Sequence, residues 1–279
     1  MAVLVLSCPD APGIVAAVAR FIHDEGGNIV DADQHTDPVH DRFLQRVEFD
    51  LPDGADLGAF RVRFAEVATR MGMDWRLTDG ERQRVAILVS QQGHCLYDLL
   101  GRWAMGELPA TVVGVISNHT THEGVAERFG VPFTHLPVEP ADRRRQQVAL
   151  MERLDELQPD LVVLARYMQI LPEDVCAQYE HRIINIHHSF LPAFVGAKPY
   201  HQAWDRGVKL IGATAHYATA DLDAGPIICQ DTAAVSHRDD VDRFVRRGRD
   251  LEMVVLARAV QLHLEDRVLA YANRTVVFD

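Results

Sequence analysis

The spacing of apolar positions divides the chain into a short front segment and a longer one behind it. In the front segment Val3 to Ser7 reads as a strand, Cys8-Pro9-Asp10-Ala11-Pro12-Gly13 as a turn, and Ile14 to Asp24 as a helix with Val15, Val18, Phe21 and Ile22 on one face. Gly26-Gly27 ends that helix. Strands are predicted over Asn28 to Asp37 and Asp41 to Leu51, joined at Pro38, then a helix over Leu57 to Met71 and a strand over Asp74 to Thr78. The order β-α-β-β-α-β within residues 1–79 is the ferredoxin-like pattern. Residues 80–83 are polar, lack periodicity and read as a linker.

Behind the linker the pattern changes. Arg84 to Val89 is a continuous apolar strand, followed by a helix over Cys95 to Met105, a strand over Val112 to Ser117 and a helix over Gly124 to Phe129. A short strand over Phe133 to Leu136, a helix over Arg143 to Leu157 and a strand over Leu161 to Ala165 continue the alternation. Such βαβα order predicts an α/β domain over 84–279 with a Rossmann-like, mostly parallel sheet covered on both faces. Asp240 to Leu264 closes it as one long helix, with a break expected near Gly248.

The chemistry gathers in Arg182 to Asp231. In Ile183-Ile184-Asn185-Ile186-His187 side chains alternate faces, so Asn185 and His187 share one surface, and Pro192 bars the strand from continuing. The end of a strand in an open parallel sheet is where such folds place ligands. A second run, Leu210 to Tyr217, breaks at Thr219 to Pro226, which places Asp223 on a loop shaped by Gly225 and Pro226 before a strand from Ile227 to Gln230. Asn185, His187 and Asp223 are thus candidates for one pocket. An amide and an imidazole can stabilise an oxyanion while a carboxylate sets the imidazole and positions or deprotonates water. No GxSxG elbow accompanies them, so direct transfer to water or an amine is favoured over a covalent acyl-enzyme.

Composition narrows the classes. The 279 residues are 48% hydrophobic and 24% charged, ordinary for a globular chain. A net charge of −12 argues against a nucleic-acid surface. No apolar run approaches the roughly 20 residues that cross a bilayer, and Ala2 to Leu6 is too short for a signal peptide, so no membrane association and a cytoplasmic location are expected. Cys8, Cys95, Cys176 and Cys229 are scattered and read as structural thiols. The turn Ser90-Gln91-Gln92-Gly93-His94-Cys95 lacks the glycine spacing of dinucleotide and nucleoside triphosphate motifs.

The residues of this stretch also match a family. Asn185-Ile186-His187 with Ser189-Phe190-Leu191-Pro192, then Gly212 to Tyr217 and Leu222-Asp223-Ala224-Gly225-Pro226-Ile227-Ile228, resemble the catalytic core of the folate-dependent formyltransferases. The front PDAPGI turn and GGNI resemble the ACT domain, an effector-binding and pairing module. Together they resemble the formyltetrahydrofolate deformylases, which hydrolyse 10-formyltetrahydrofolate to tetrahydrofolate and formate within one-carbon and purine metabolism.

By that resemblance Asn185 bonds the formyl oxygen, His187 stabilises the oxyanion, and Asp223 orients His187 and the attacking water. His216 and Thr214 support Asp223, and Met168, Gln169, Ile170 and Leu171 with Thr219, Ala220, Asp221 and Leu222 bind the folate. Asp10, Gly13 and Asn28 are candidate effector positions for glycine or methionine; alternatively Gly13 only permits the turn and Asp10 caps the helix, or the module is purely a dimer contact. A homo-oligomer is implied, and no cofactor beyond the folate. A zinc set of His187, His216 and Asp223 is chemically possible but not required. His188 is expected on the opposite face in a structural role, and His201 at the surface. Arg166 and Lys198 are read as exposed cations, either solvated or attracting the glutamate tail. The Ser90 turn lacks the phosphate site of an amine-accepting transformylase, which makes water the expected acceptor.

Overall fold

The structure, a computed structural model, describes residues 1–138, 143–193 and 199–278. It divides into two units. The first comprises Met1–Glu81 with Asp266–Leu269 and the chain from Val276. Strands β1 (Ala2–Pro9), β2 (Asn28–Asp37), β3 (Arg42–Asp50) and β4 (Asp74–Thr78) form an antiparallel sheet in the order β2-β3-β1-β4. Helices α1 (Ile14–Asp24) and α2 (Leu57–Met71) bury Val18, Ile22, Phe60 and Phe64 with Leu4, Leu6 and Phe49 from the strands. The second helix starts where predicted because the Asp56 carboxylate accepts from Gly58 N at 2.8 Å and Ala59 N at 3.1 Å.

The expected second domain, 84–279, differs at its end, since Asp266–Leu269 and the chain from Val276 pack with the first unit. There Asp266 is buried and accepts from Thr78 Oγ1 at 2.6 Å and Arg76 Nη2 at 2.5 Å. These segments enter β12 (Val268–Tyr271) and β13 (Arg274–Val277), a two-stranded pair that the sequence pattern does not predict.

The second unit is built on a seven-stranded sheet. Its strands are β5 (Gln83–Val89), β6 (Ala110–Ser117), β7 (Phe133–His135), β8 (Leu161–Ala165), β9 (Ile183–His187), β10 (Leu210–Tyr217) and β11 (Ile227–Ala234), ordered β11-β10-β9-β8-β5-β6-β7. The pairs from β7 to β9 are parallel, and β10 runs against both of its neighbours. Ala86, Leu88, Val162 and Leu164 pack under α5 (Arg143–Leu157) and α6 (Glu173–Gln178). Val85, Ile87 and Val163 pack on the other face with α3 (His94–Ala104) and α8 (Val241–Leu264). Two further helices are α4 (Glu123–Arg128) and α7 (Pro199–Arg206). Faces covered on both sides explain why the inner strands are apolar at consecutive positions.

The expected break at Gly248 is absent, and α8 runs through it. A β-carbon there would lie 2.0 Å from Tyr200 Cζ, so the glycine makes room for an aromatic ring instead of bending the helix. Among the described residues no helix is long and apolar enough to cross a membrane.

Candidate active site

Asn185 and His187 occupy alternate positions of β9 and line, with Asp223, a cavity of about 810 Å³. The antiparallel register of β10 puts His216 opposite Asn185 and Thr214 opposite His187. His187 Nδ1 lies 3.1 Å from Asp223 Oδ1, to which it donates. His216 Nε2 approaches the same oxygen at 3.7 Å. With His216 Nδ1–H given to the Tyr217 carbonyl at 2.9 Å, Nε2 accepts from Asn185 Nδ2 at 3.1 Å. That bond turns the Asn185 amide so that its second N–H remains for a ligand. Among the described residues the buried His187 Nε2 has no hydrogen-bond partner.

Asp223 sits in a left-handed conformation, φ 56°. Its turn packs directly on β10, so tightly that a β-carbon on Gly225 would lie 1.9 Å from the Tyr217 oxygen. Only glycine allows that approach. The hydrogen bond from His187 holds the Asp223 carboxyl well below the usual carboxylate range, outweighing the opposing effect of burial.

Two expectations about neighbouring residues change. Thr214 does not support Asp223: its hydroxyl donates to Ser189 O at 2.9 Å and accepts from Leu191 N at 3.1 Å and Gln230 Nε2 at 2.9 Å, bracing the turn that follows His187. His188 is not on an opposite strand face, because β9 ends at His187. It lines the cavity with its ring stacked on His187, centroids 5.3 Å apart and planes at 23°. Its ring makes no hydrogen bond among the described residues.

Met168, Gln169, Ile170 and Leu171 with Thr219, Ala220 and Leu222 line the same cavity. Met168, Ile170 and Leu222 are 61%, 68% and 68% exposed, a cluster of bare apolar side chains that a ligand would cover. Asp221 is the exception: it does not line the cavity, and its carbonyl accepts from Thr219 Oγ1 at 3.0 Å.

Sequence pattern alone misses a buried ion cluster in the cavity wall. Arg166 is 7% exposed, not solvated. Its Nε lies 3.4 Å from Glu252 Oε2, and Nη2 donates to Gln92 Oε1 at 3.1 Å. Glu252, 1% exposed, also accepts from His94 Nε2 and Tyr200 OH, both at 2.8 Å. Burial opposes its charge, but His94 and then Arg166 overcome that and hold the carboxyl below its ordinary value. A signal was present: Glu252 falls four residues after Gly248 on the stripe of α8 that also buries Leu256, where a carboxylate needs partners. His94, Cys95 and Glu252 lie within 4.8 Å in metal-ligand fashion. Burial, then the Glu252 charge, pushes the Cys95 thiol up and away from the thiolate that a metal requires. Lys198 lies outside the described residues.

In the first unit the expected effector trio is not brought together within the chain. Asp10 and Gly13 follow β1 where Pro9 pairs with Arg42, whereas Asn28 pairs with Asp50 at the other end of β3. Eight residue steps along β3 separate those ends, on the order of 25 Å. Gly13 is the residue that caps α1, at φ 93°, and among the described residues no side chain, Asp10 included, bonds that terminus.

A ferredoxin-like unit and a mostly parallel sheet with an Asn-His-Asp cavity define the class. Residues 83–260 match the family model described as formyl transferase, and residues 2–65 match the ACT domain. A formyltetrahydrofolate deformylase of Synechocystis sp. is 51% identical, over 99% of this chain and 98% of the relative. The crystal structure of a formyltetrahydrofolate deformylase from Pseudomonas syringae pv. tomato superposes with a TM-score of 0.98 at 50% identity, covering 100% of this chain and 94% of that one. Glycinamide ribonucleotide transformylase 1 from Symbiobacterium toebii aligns at TM-score 0.67 and 35% identity, over 72% of this chain and 96% of that one. The chain belongs to the formyltetrahydrofolate deformylase family.

Proposed function

We propose that this chain hydrolyses 10-formyltetrahydrofolate to tetrahydrofolate and formate. The observation that carries the reading is His187, whose Nδ1 is taken by Asp223 while its buried Nε2 has no partner among the described residues. A formyl oxygen placed there meets the second N–H of Asn185 and, as charge develops, a proton on His187 Nε2. Both donors are fixed before reaction, which is how such sites lower a barrier. Asp223 stabilises the imidazolium and orients the water. Attack forms the new C–O bond, collapse breaks the bond from carbon to N10, and the water's proton is relayed to that nitrogen. The folate lies along Met168 to Leu171 and Thr219, Ala220 and Leu222, with His216 and Thr214 as positioning residues.

The reaction so drawn needs no cofactor beyond the folate. It places the chain in cytoplasmic one-carbon metabolism, linked to purine synthesis. The ACT domain supports control by an amino acid, glycine or methionine, in a homo-oligomer. Asp10, Gly13 and Asn28 can meet at one effector only if different chains supply them.

The test is formate release from 10-formyltetrahydrofolate with no amine present. Asp223→Asn and His187→Ala are expected to lower it by roughly 100-fold or more while folate binding persists. Release that survives His187→Ala at the wild-type rate would remove the reaction from this cavity. Turnover only on adding an amine would make the protein a transferase.

A further inference from the structure

Arg166 lines the cavity yet has no part in the reaction drawn above, and two costs converge on it. Its backbone is left-handed at φ 64°, where a β-carbon is crowded and glycine is the usual occupant. Its guanidinium is buried with Nε and Nη1 lacking hydrogen-bond partners among the described residues, although buried N–H groups are normally satisfied. The surroundings nonetheless hold it firmly. Gln92 takes Nη2 from the turn after β5, and Glu252 meets Nε from α8. Glu252 is itself locked by Tyr200 of α7 and His94 of α3. Strain maintained this firmly beside a reactive cavity points to a task there.

The cavity lining divides by chemistry. Met168 to Leu171 with Thr219, Ala220 and Leu222 supply the largely apolar wall given to folate above, whereas Gln92, Arg166, His188, Tyr200 and Glu252 supply a polar one. In strand order Arg166 and Gln92 follow β8 and β5, on the flank of β9 away from β10. With folate on the first wall, the polar wall is the part of the lining left for an acceptor. The transformylase from Symbiobacterium toebii shares this fold, so the fold does not select the acceptor.

We propose that Arg166, clamped by Glu252 and Gln92, fills the place where an amine acceptor would stand and thereby restricts the acceptor to water. The inference rests on the hydrolase reading above. A fixed guanidinium takes up the room that a carbon-bearing amine needs. It also repels the ammonium form in which such amines arrive, whereas neutral water meets neither obstacle.

The test gives full-length wild type, Arg166→Gly and Arg166→Gly/Glu252→Gln 10-formyltetrahydrofolate with glycinamide, and counts formate and formylated amine in the same reaction. Glycine suits the backbone at this position, and the double variant removes the carboxylate that the single one leaves without its cation. Wild type is expected to yield formate alone, and the ratio of formylated amine to formate should rise about ten-fold or more in either variant. Turnover with an unchanged ratio overturns the proposal, also where KM for the folate rises, since Arg166 would then hold the glutamate tail. Lost turnover with tetrahydrofolate binding intact overturns it too, placing Arg166 in the catalytic machinery. If neither variant folds, Arg166→Asn, which suits a left-handed backbone and removes both the charge and most of the bulk, is measured in their place: a raised ratio supports the proposal, and an unchanged ratio overturns it. Wild type that releases no formate refutes the hydrolase reading itself.

Discussion

His188 and Asp223 both touch the His187 ring, and their titrations move stability in the same direction. Burial, followed by the Arg166 guanidinium, holds the His188 imidazole down at about 4, with Glu252, His187 and Asp223 also facing it. An unfolded chain binds that proton near the ordinary value of 6.5, so stability rises with pH between about 4 and 6.5 and is lost as pH falls through that window. Asp223 behaves as a lowered carboxylate: its contribution is full above the ordinary value of 3.8 and disappears only on further acidification. Denaturation of wild type between pH 6.5 and 4 is expected to lose stability that His188→Asn retains, on the order of 2 kcal/mol. Parallel curves for the two proteins would contradict this. The shared face of Asn185 and His187 was legible in five residues, because strand alternation needs no tertiary information. The place of His188 was not, since where a strand ends depends on its neighbours.

Among the elements, α8 carries the clearest conflict between local propensity and packing. Ala in place of Gly248 would gain about 1 kcal/mol of helix propensity. The new β-carbon would meet the Tyr200 ring, so Gly248→Ala is expected to be destabilising by roughly 1–3 kcal/mol net. Urea denaturation measures the sign directly, and a stabilised variant would mean the ring moves freely. Turn residues and periodicity placed most helices and strands within a residue or two, as with Leu57–Met71 and Leu161–Ala165. The direction of β10 was hidden, because apolar alternation is the same whichever way a strand runs. Short α6 and α7 were hidden too, with six and eight residues being too few to show a period.

At the scale of the molecule, residues far apart in the chain hold the reactive turn. Asn273 Nδ2 donates to Ala224 O at 3.1 Å and Thr275 Oγ1 to Ile227 O at 2.5 Å, on either side of Gly225-Pro226 and next to Asp223. Replacing both, Asn273→Ala with Thr275→Val, should lower kcat for formate release by about ten-fold while KM changes little, since the hydrogen bonds removed brace the turn of Asp223 and not Met168 to Leu171. Unchanged kcat would show that Gly225 and β10 alone hold Asp223.

What the sequence determined by itself was local or repetitive: the two patterns of alternation, the shared face of Asn185 and His187, and a shaped turn carrying Asp223. Its motifs added the family. Tertiary structure alone decided which partners these groups have: His216 on Asn185, Thr214 on the turn after His187, and Arg166 locked into the cavity wall by Glu252. The reason is physical. Propensity and periodicity act over a few residues, whereas burial of a charge such as Arg166 is settled by groups 74 and 86 positions away, at Gln92 and Glu252, that meet it only once the sheet and α8 have formed.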